Sequence, residues 1–374
     1  MVSASPSRPP ALRWDIFCRV IDNLGDIGVC WRLSADLAAR GQAVRLWIDQ
    51  PEPLRWMAPG ALEGHVPGVQ VRHWSDPLAG DALADWSPGD VWIEAFGCDP
   101  APECVSRMAE QIAQGGAAPI WINLEYLSAE AYVERNHRLP SPVTSGPLKG
   151  LTKWFFYPGF TAATGGLLRE PDLAPRQAAF DAPAWCLAQG LHDTQARRIG
   201  LFCYEPPVLG AVMQAAARED PRCLWLVTSG RAAQAVAALP VSAPASRLHP
   251  LPPLPQRDFD HLLWACDLNL VRGEDSLVRA IWAGQPFVWQ IYPQHDAAHA
   301  AKLDAFLALM LADADAGTAA GLRSLWHAWN GLGPWPAALP SGDAWQALAR
   351  GWRERLLAQP DLGTQLLRFA AEKR

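Results

Sequence analysis

No stretch of this 374-residue chain runs apolar for the ~18 residues that a membrane helix needs. The opening segment, Met1 to Pro10, lacks the apolar core of a signal peptide and reads as a disordered lead-in. A cytoplasmic location and no membrane partner are therefore expected. A basic excess is missing too: 32 Lys and Arg against 38 Asp and Glu leave a formal net charge of -6. Gripping a nucleic-acid backbone calls for a basic stripe, so no nucleic-acid partner is expected. The eight cysteines form no CxxC pair, and several lie in apolar runs such as Leu201-Phe202-Cys203-Tyr204. Reduced, buried thiols are expected rather than a disulfide framework or a zinc site. The chain also lacks G-x-G-x-x-G, a P-loop lysine motif, a G-x-S-x-G elbow and HExxH. Dinucleotide, P-loop nucleotide, serine-hydrolase and zinc-protease chemistries lose their usual signatures.

What is abundant is tryptophan, 19 residues against 5 tyrosines, with no repeat period to organise it. Large aromatics bury much area at low entropy cost, so most are expected in cores or at their rims. The length suits two domains. In the first half, Trp14 to Ile21 reads as a buried strand, Ile27 to Ala39 as a helix stopped by Gly41, and Ala43 to Ile48 as the next strand. Further strands are predicted at Asp90 to Ala95, Ile120 to Leu124 and Trp154 to Tyr157. The polar stretch Leu168 to Pro183 is placed as the interdomain connection. The rhythm then restarts, with strands at Ile199 to Tyr204, Cys223 to Val227, Asp267 to Val271 and Phe287 to Ile291. Helical patterns at Val208 to Ala217, Phe259 to Trp264 and Ser276 to Ala283 separate them. Pro250 to Pro255 reads as a stiff loop at a site wall, and Asp343 to Phe369 as a last long helical pattern. The expectation is an α/β protein of two Rossmann-like domains facing across a cleft, 12–183 and 184–374. The last helix would pack back on the first domain. Ligands in such sheets sit beyond the C-terminal strand ends.

Three segments fall at those ends. Asp22-Asn23-Leu24-Gly25-Asp26 joins the first strand to the first helix. Asp26 there is either a helix N-cap or, with Asp22, a carboxylate meeting a substrate. Arg272-Gly273-Glu274-Asp275-Ser276 lies between a strand and a helix, where free N–H groups, Arg272 and Ser276 could hold a diphosphate. Glu274 suits sugar hydroxyls better than phosphate; the plainer reading is an Asp275 N-cap beside an exposed charge pair. Ile291-Tyr292-Pro293-Gln294 ends the next strand, and Tyr292 could donate to phosphate or only pack at the rim. Asp258-Phe259-Asp260 and Asp313-Ala314-Asp315 match the DxD of metal-dependent glycosyltransferases, yet each reads as a solvated or capping pair. His295-Asp296 with His299 lacks a third ligand, so no metal is expected.

Taken in order, these segments resemble one family. Trp14 to Leu33, with Asp22-Asn23-Leu24-Gly25-Asp26 at its centre, is similar to the opening of bacterial protein-arginine rhamnosyltransferases of elongation factor P, the EarP family. Arg272 to Ser276 with Arg279-Ala280 and Trp282-Ala283-Gly284 is similar to their donor-site signature, and Ile291 to Gln294 to a third block. Leu24 stands where many members carry an aromatic residue. The resemblance implies a GT-B fold and an inverting transfer of rhamnose from dTDP-β-L-rhamnose to one arginine in the N-terminal domain of elongation factor P. No cofactor or metal is implied. It also implies donor contacts from Asn23, Gly25, Phe202, Tyr204, Gln256, Phe259, Arg272, Glu274, Asp275, Ser276 and Tyr292. Asp26, Asp22 and Glu274 are the expected catalytic residues, Asp26 as base or orienting group. The rivals are a GT-B enzyme with another acceptor and a non-catalytic nucleotide-sugar-binding protein.

Overall fold

The computed structural model describes residues 11–374 except 22–23, 75–77, 79–82, 84, 241–246, 293–297, 337–338 and 340. Asp22, Asn23, Pro293, Gln294, His295 and Asp296 thus lie outside the described residues, as does the whole Met1 to Pro10 lead-in.

Two sheets divide the chain. The first is built from β1 (Arg13–Cys18), β2 (Ala43–Ile48), β3 (Val69–His73), β4 (Val91–Ala95), β5 (Ile120–Leu124), β6 (Pro140–Pro142) and β7 (Thr152–Phe156). Its order is β3-β2-β1-β4-β5-β7-β6, parallel throughout except for β6 against β7. The second contains β8 (Arg198–Leu201), β9 (Leu224–Val227), β10 (Arg247–Pro250), β11 (Leu268–Arg272) and β12 (Phe287–Gln290). Its order, β10-β9-β8-β11-β12, is all parallel. Each sheet reverses direction beside its own first strand, between β1 and β4 and between β8 and β11, and such switch points open ligand crevices at the C-terminal strand ends.

Interior strands are apolar on both faces because helices cover both, as parallel sheets require. One face of the first sheet gathers Phe17, Trp47, Trp74, Trp86, Trp92 and Trp121 into a single cluster, which accounts for much of the tryptophan excess. Buried Asp15 sits beside it, bound by the Arg45 fork at 2.7 Å twice, by Trp47 Nε1 at 2.9 Å and by Gly89 N at 2.8 Å. The opposite face packs on the helix Gly25–Ala39 and on the last helix, Leu362–Lys373, through Leu362, Leu366 and Phe369. All eight cysteines are free and buried. Among the described residues no helix is long and apolar enough to cross a membrane.

Two expectations need correcting. The pattern Asp343 to Phe369 is two helices, Gly342–Leu357 and Leu362–Lys373, because Pro360 supplies no N–H and Asp361 caps the second through Thr364 N at 2.8 Å. The stretch Leu168 to Pro183 holds the helix Leu173–Ala178, and its Glu170 binds Arg279 Nη1 at 2.7 Å. Asp260 of the first DxD is neither solvated nor capping but 1% exposed, held between arginines from both halves. Asp315, by contrast, does cap the helix Ala316–Trp329, through Thr318 N at 3.0 Å.

Glu94, on β4, gives a stability prediction. It is buried, its Oε2 pairs with Lys153 Nζ at 2.6 Å, and its Oε1 has no hydrogen-bond partner. Burial pushes its carboxyl from an ordinary 4.5 up to about 7, against the pull of Lys153. Between those values the folded chain holds a proton that the unfolded chain has lost, so stability falls as pH rises through that window. At 1.36 kcal/mol per pKa unit the group's contribution changes by at most about 3 kcal/mol. Glu94→Gln cannot ionise, so relative to the parent it should become more stable between pH 5 and pH 8. Denaturant unfolding at the two pH values checks the sign.

Candidate active site

The two switch points face each other, and the cleft between them holds two joined cavities. The larger, about 370 Å³, is lined from the first half by Leu24, Gly25, Arg32, Trp56 and Met57. The second half contributes Phe202, Tyr204, Thr228 to Arg231, Pro252 to Leu254, Gln256, Phe259 and Arg272 to Ser276. The smaller, about 190 Å³, is lined by Ile21, Gly25, Asp26, Val29, Phe96, Tyr126, Trp289, Ile291, Tyr292 and Lys302. Gly25, Gly273 and Glu274 line both, so a molecule seated in one reaches the other.

In the larger cavity Phe202 meets Phe259 edge to face at 5.2 Å, giving an apolar aromatic corner. The Arg272 guanidinium lies 4.6 Å from the Phe202 ring and 4.4 Å from the Tyr204 ring. Its Nε is buried without a hydrogen-bond partner. Leaving such a donor unmet costs about 1–3 kcal/mol, and the side chain lines the larger cavity. The helix that follows begins at Gly273, two residues earlier than Asp275, and Gly273 takes φ +69°, a left-handed turn that favours glycine. Its amino end aims free N–H groups at the same space. Ser276 is less available: its hydroxyl accepts from Arg272 N at 3.1 Å and donates to Arg272 O. Asp275 is not an N-cap, since Arg272 holds that place without a side-chain bond. Asp275 instead pairs with Arg32 Nε at 2.9 Å, and burial raises its carboxyl above the ordinary value against that pull. Gln256 lines the cavity, but its Nε2 donates to Gly28 O of the facing half at 3.0 Å.

Asp26 lines the smaller cavity. It is buried in the first turn of Gly25–Ala39, with Leu24 at the N-cap place. Its Oδ2 accepts from Ile21 N at 2.8 Å, closing the loop back toward β1 rather than capping the helix. Tyr292 faces it from the other half, 47% exposed and edge-on to Tyr204 at 5.6 Å. Glu274 Oε2 accepts from Leu127 N of the first half at 2.9 Å. Every described residue expected from the sequence as a donor contact or catalytic group thus lines one of the two cavities. No cluster of three potential metal ligands occurs among the described residues.

Sequence reasoning missed one wall of the smaller cavity. Phe96, just past β4, takes φ +59°, a costly setting for a bulky residue, and stacks on Tyr126 at 4.4 Å and 14°. A third cavity, about 570 Å³, is lined by Arg19, Ile21, Asp49, Trp74, Phe96 and Asp99 and meets the second at Ile21 and Phe96. An aromatic after an apolar strand gave no sequence signal of this.

Comparison with known proteins follows the same line. The family model described as elongation factor P (EF-P) rhamnosyltransferase EarP matches residues 14–371. Protein-arginine rhamnosyltransferases of Pseudomonas putida and Neisseria meningitidis are similar at 44% and 33% identity. They cover 95% and 97% of this chain, and each is itself 98% covered. A solved structure described as the basis of EarP-mediated arginine glycosylation of EF-P is 32% identical, with a TM-score of 0.61 over 97% of this chain and all of that one. A plant glycosyltransferase bound to UDP, from Arabidopsis thaliana, is 12% identical at TM-score 0.52 over 96% of this chain and 99% of its own, a likeness of fold alone.

Proposed function

The chain belongs to the EarP family of elongation factor P rhamnosyltransferases, and from that premise we propose that it moves L-rhamnose from dTDP-β-L-rhamnose to an arginine side chain of elongation factor P, with inversion at the sugar. The observation that carries this reading is the joined pair of cavities: a cradle with the unmet Arg272 donor on one side, and Asp26 opposite Tyr292 on the other.

In this reading the thymine lies on the Phe202 and Phe259 wall and the diphosphate on Arg272 and the amino end of Gly273–Ala283. The rhamnose reaches the shared region at Gly25, Gly273 and Glu274, and the acceptor arginine enters from the side of Phe96 and Asp26. Asp26 orients one guanidinium nitrogen and takes its proton as that nitrogen bonds to the anomeric carbon. The bond from that carbon to the diphosphate oxygen breaks on the opposite face, and dTDP leaves with the electron pair. Arg272, Tyr292 and the helix amino end receive the charge that develops there. Asp22 would position the guanidinium beside Asp26. The protein acts without a metal or cofactor in this scheme, in the cytoplasm where its acceptor works.

The test is intact-mass analysis of elongation factor P incubated with the protein and dTDP-β-L-rhamnose. One added deoxyhexose, mapped by fragmentation to an arginine, is the expected result. An unmodified acceptor alongside a well-folded, dTDP-binding protein would remove the proposed acceptor and leave only nucleotide-sugar binding.

A further inference from the structure

One basic side chain of the acceptor-side helix reaches across the cleft and to the connection between the halves. Arg32 follows Asp26 by six residues on Gly25–Ala39, under two turns. It is 4% exposed. Its Nε reaches Asp275 Oδ1 at 2.9 Å and its Nη2 reaches Asp260 Oδ1 at 3.0 Å and Gln256 O at 3.1 Å. Its Nη1 lies 3.4 Å from Glu170 Oε1 on the connection between the halves. Arg279, from the donor-side helix Gly273–Ala283, grips the same two acids: Nε and Nη2 reach Asp260 at 2.8 and 2.7 Å, and Nη1 reaches Glu170 at 2.7 Å. Burial works to raise Glu170, but Arg279 and Arg32 outweigh it and hold the carboxyl well below its usual range. Gln256 returns the contact, donating to Gly28 O at 3.0 Å.

Buried ion pairs add little net stability, because desolvation offsets most of the attraction. What a fork bound on every nitrogen does supply is orientation. Arg32 lines the donor cavity, yet each of its nitrogens already has a protein oxygen, unlike Arg272 with its unmet Nε. It is therefore poorly suited to hold phosphate. The two helices it joins begin with Asp26 on one side and with the residues after Arg272 on the other.

We propose that Arg32 is a positioning residue for the transfer: by pinning Gly25–Ala39 to Asp275 and Asp260 it holds Asp26 in register with the donor cradle. The proposal rests on the rhamnosyl-transfer reading above only for what the register serves.

The test uses Arg32→Met, which keeps the stem and removes the fork, and Arg32→Lys, which returns the charge with a single point of attachment. A carboxylate misplaced by about 1 Å costs roughly 100-fold in rate, so Arg32→Met should lower kcat about 100-fold while the Kd for dTDP stays within about threefold. Arg32→Lys should recover part of the loss. If Arg32→Met does not fold, Asp260→Asn removes the partner from the far side and should give the same split, since Asp260 lines neither cavity. A second readout needs no turnover: spin labels on Glu63→Cys and Gln214→Cys, both exposed and one in each half, measure the spread of distances between the halves. The parent should give a narrow distribution and Arg32→Met a broad one. Unchanged kcat, or kcat and dTDP affinity falling together, overturns the proposal, as does a distribution that stays narrow. A parent protein that does not modify elongation factor P but loses its narrow distribution on Arg32→Met refutes the transfer reading and keeps the register.

Discussion

Replacing Asp26 with asparagine should lower rhamnosyl transfer to elongation factor P by a factor of 1,000 or more, leaving dTDP affinity within about threefold of the parent. The size follows from the nucleophile. A guanidinium stays protonated with a pKa above about 12, so freeing a nitrogen at neutral pH costs roughly 7 kcal/mol. A base that accepts the proton while the C–N bond forms avoids building that free base first. Asparagine has almost the same shape and keeps an oxygen for the 2.8 Å bond from Ile21 N, so the loop should close as before. It cannot accept the proton. Asp26 lines the smaller cavity and not the larger one proposed for the nucleotide, which is why nucleotide binding should be spared. Single-turnover assays with saturating donor, beside calorimetric titration of dTDP, separate the two quantities. Substantial surviving turnover would move the base to Glu274 or to Asp22.

The parts of this architecture that the chain announces locally are the interior strands. β2 and β5 coincide with the apolar runs Ala43 to Ile48 and Ile120 to Leu124, because both faces are buried and the run has no reason to alternate. Of the four edge strands, β12 was legible as the buried run Phe287 to Ile291, and the other three were silent. Val69–His73 carries Gln70, Arg72 and His73, Arg247–Pro250 is mostly exposed, and Pro140–Pro142 is a short edge strand that can spare an N–H. Val69 and Val71 do alternate with polar residues, but the run is too short to stand out from a loop, and the other two carry no hydrophobic period.

The candidate site divides in the same way. Asp26 and Arg272 to Ser276 stand out because strand-to-helix turns at a switch point are where ligands gather, and that is a statement about neighbours in sequence. Arg32, Glu170, Asp260 and Arg279 are joined across as many as 228 positions. Each alone looks like a solvated charge, and only the docking of one half on the other turns them into a buried set. Phe96 is hidden for another reason. Its left-handed backbone is imposed by the turn past β4, and nothing in the residue type asks for it.

Arg272 should dominate donor affinity, and Arg272→Met is expected to weaken dTDP binding by roughly 100-fold or more. Charge-assisted bonds to a phosphate contribute about 1.5–3 kcal/mol each, and 1.4 kcal/mol is tenfold in affinity, so one or two lost bonds reach that range. The Arg272 side chain also packs on Phe202 and Tyr204, at 4.6 and 4.4 Å, so its removal could act through the aromatic wall instead of through charge. Thymidine, which carries the base and no phosphate, separates the two. Methionine keeps most of the apolar stem, and thymidine binding should therefore change by less than about threefold. Loss of thymidine and dTDP affinity in equal measure would make Arg272 a packing residue and take the diphosphate elsewhere. Lysine at this position should restore only part of the affinity, since a single ammonium lacks the planar fork. The same substitution should lower kcat even at saturating donor, because charge on the departing diphosphate grows as the sugar bond breaks and, in the proposed scheme, the Arg272 cation lining the larger cavity receives it.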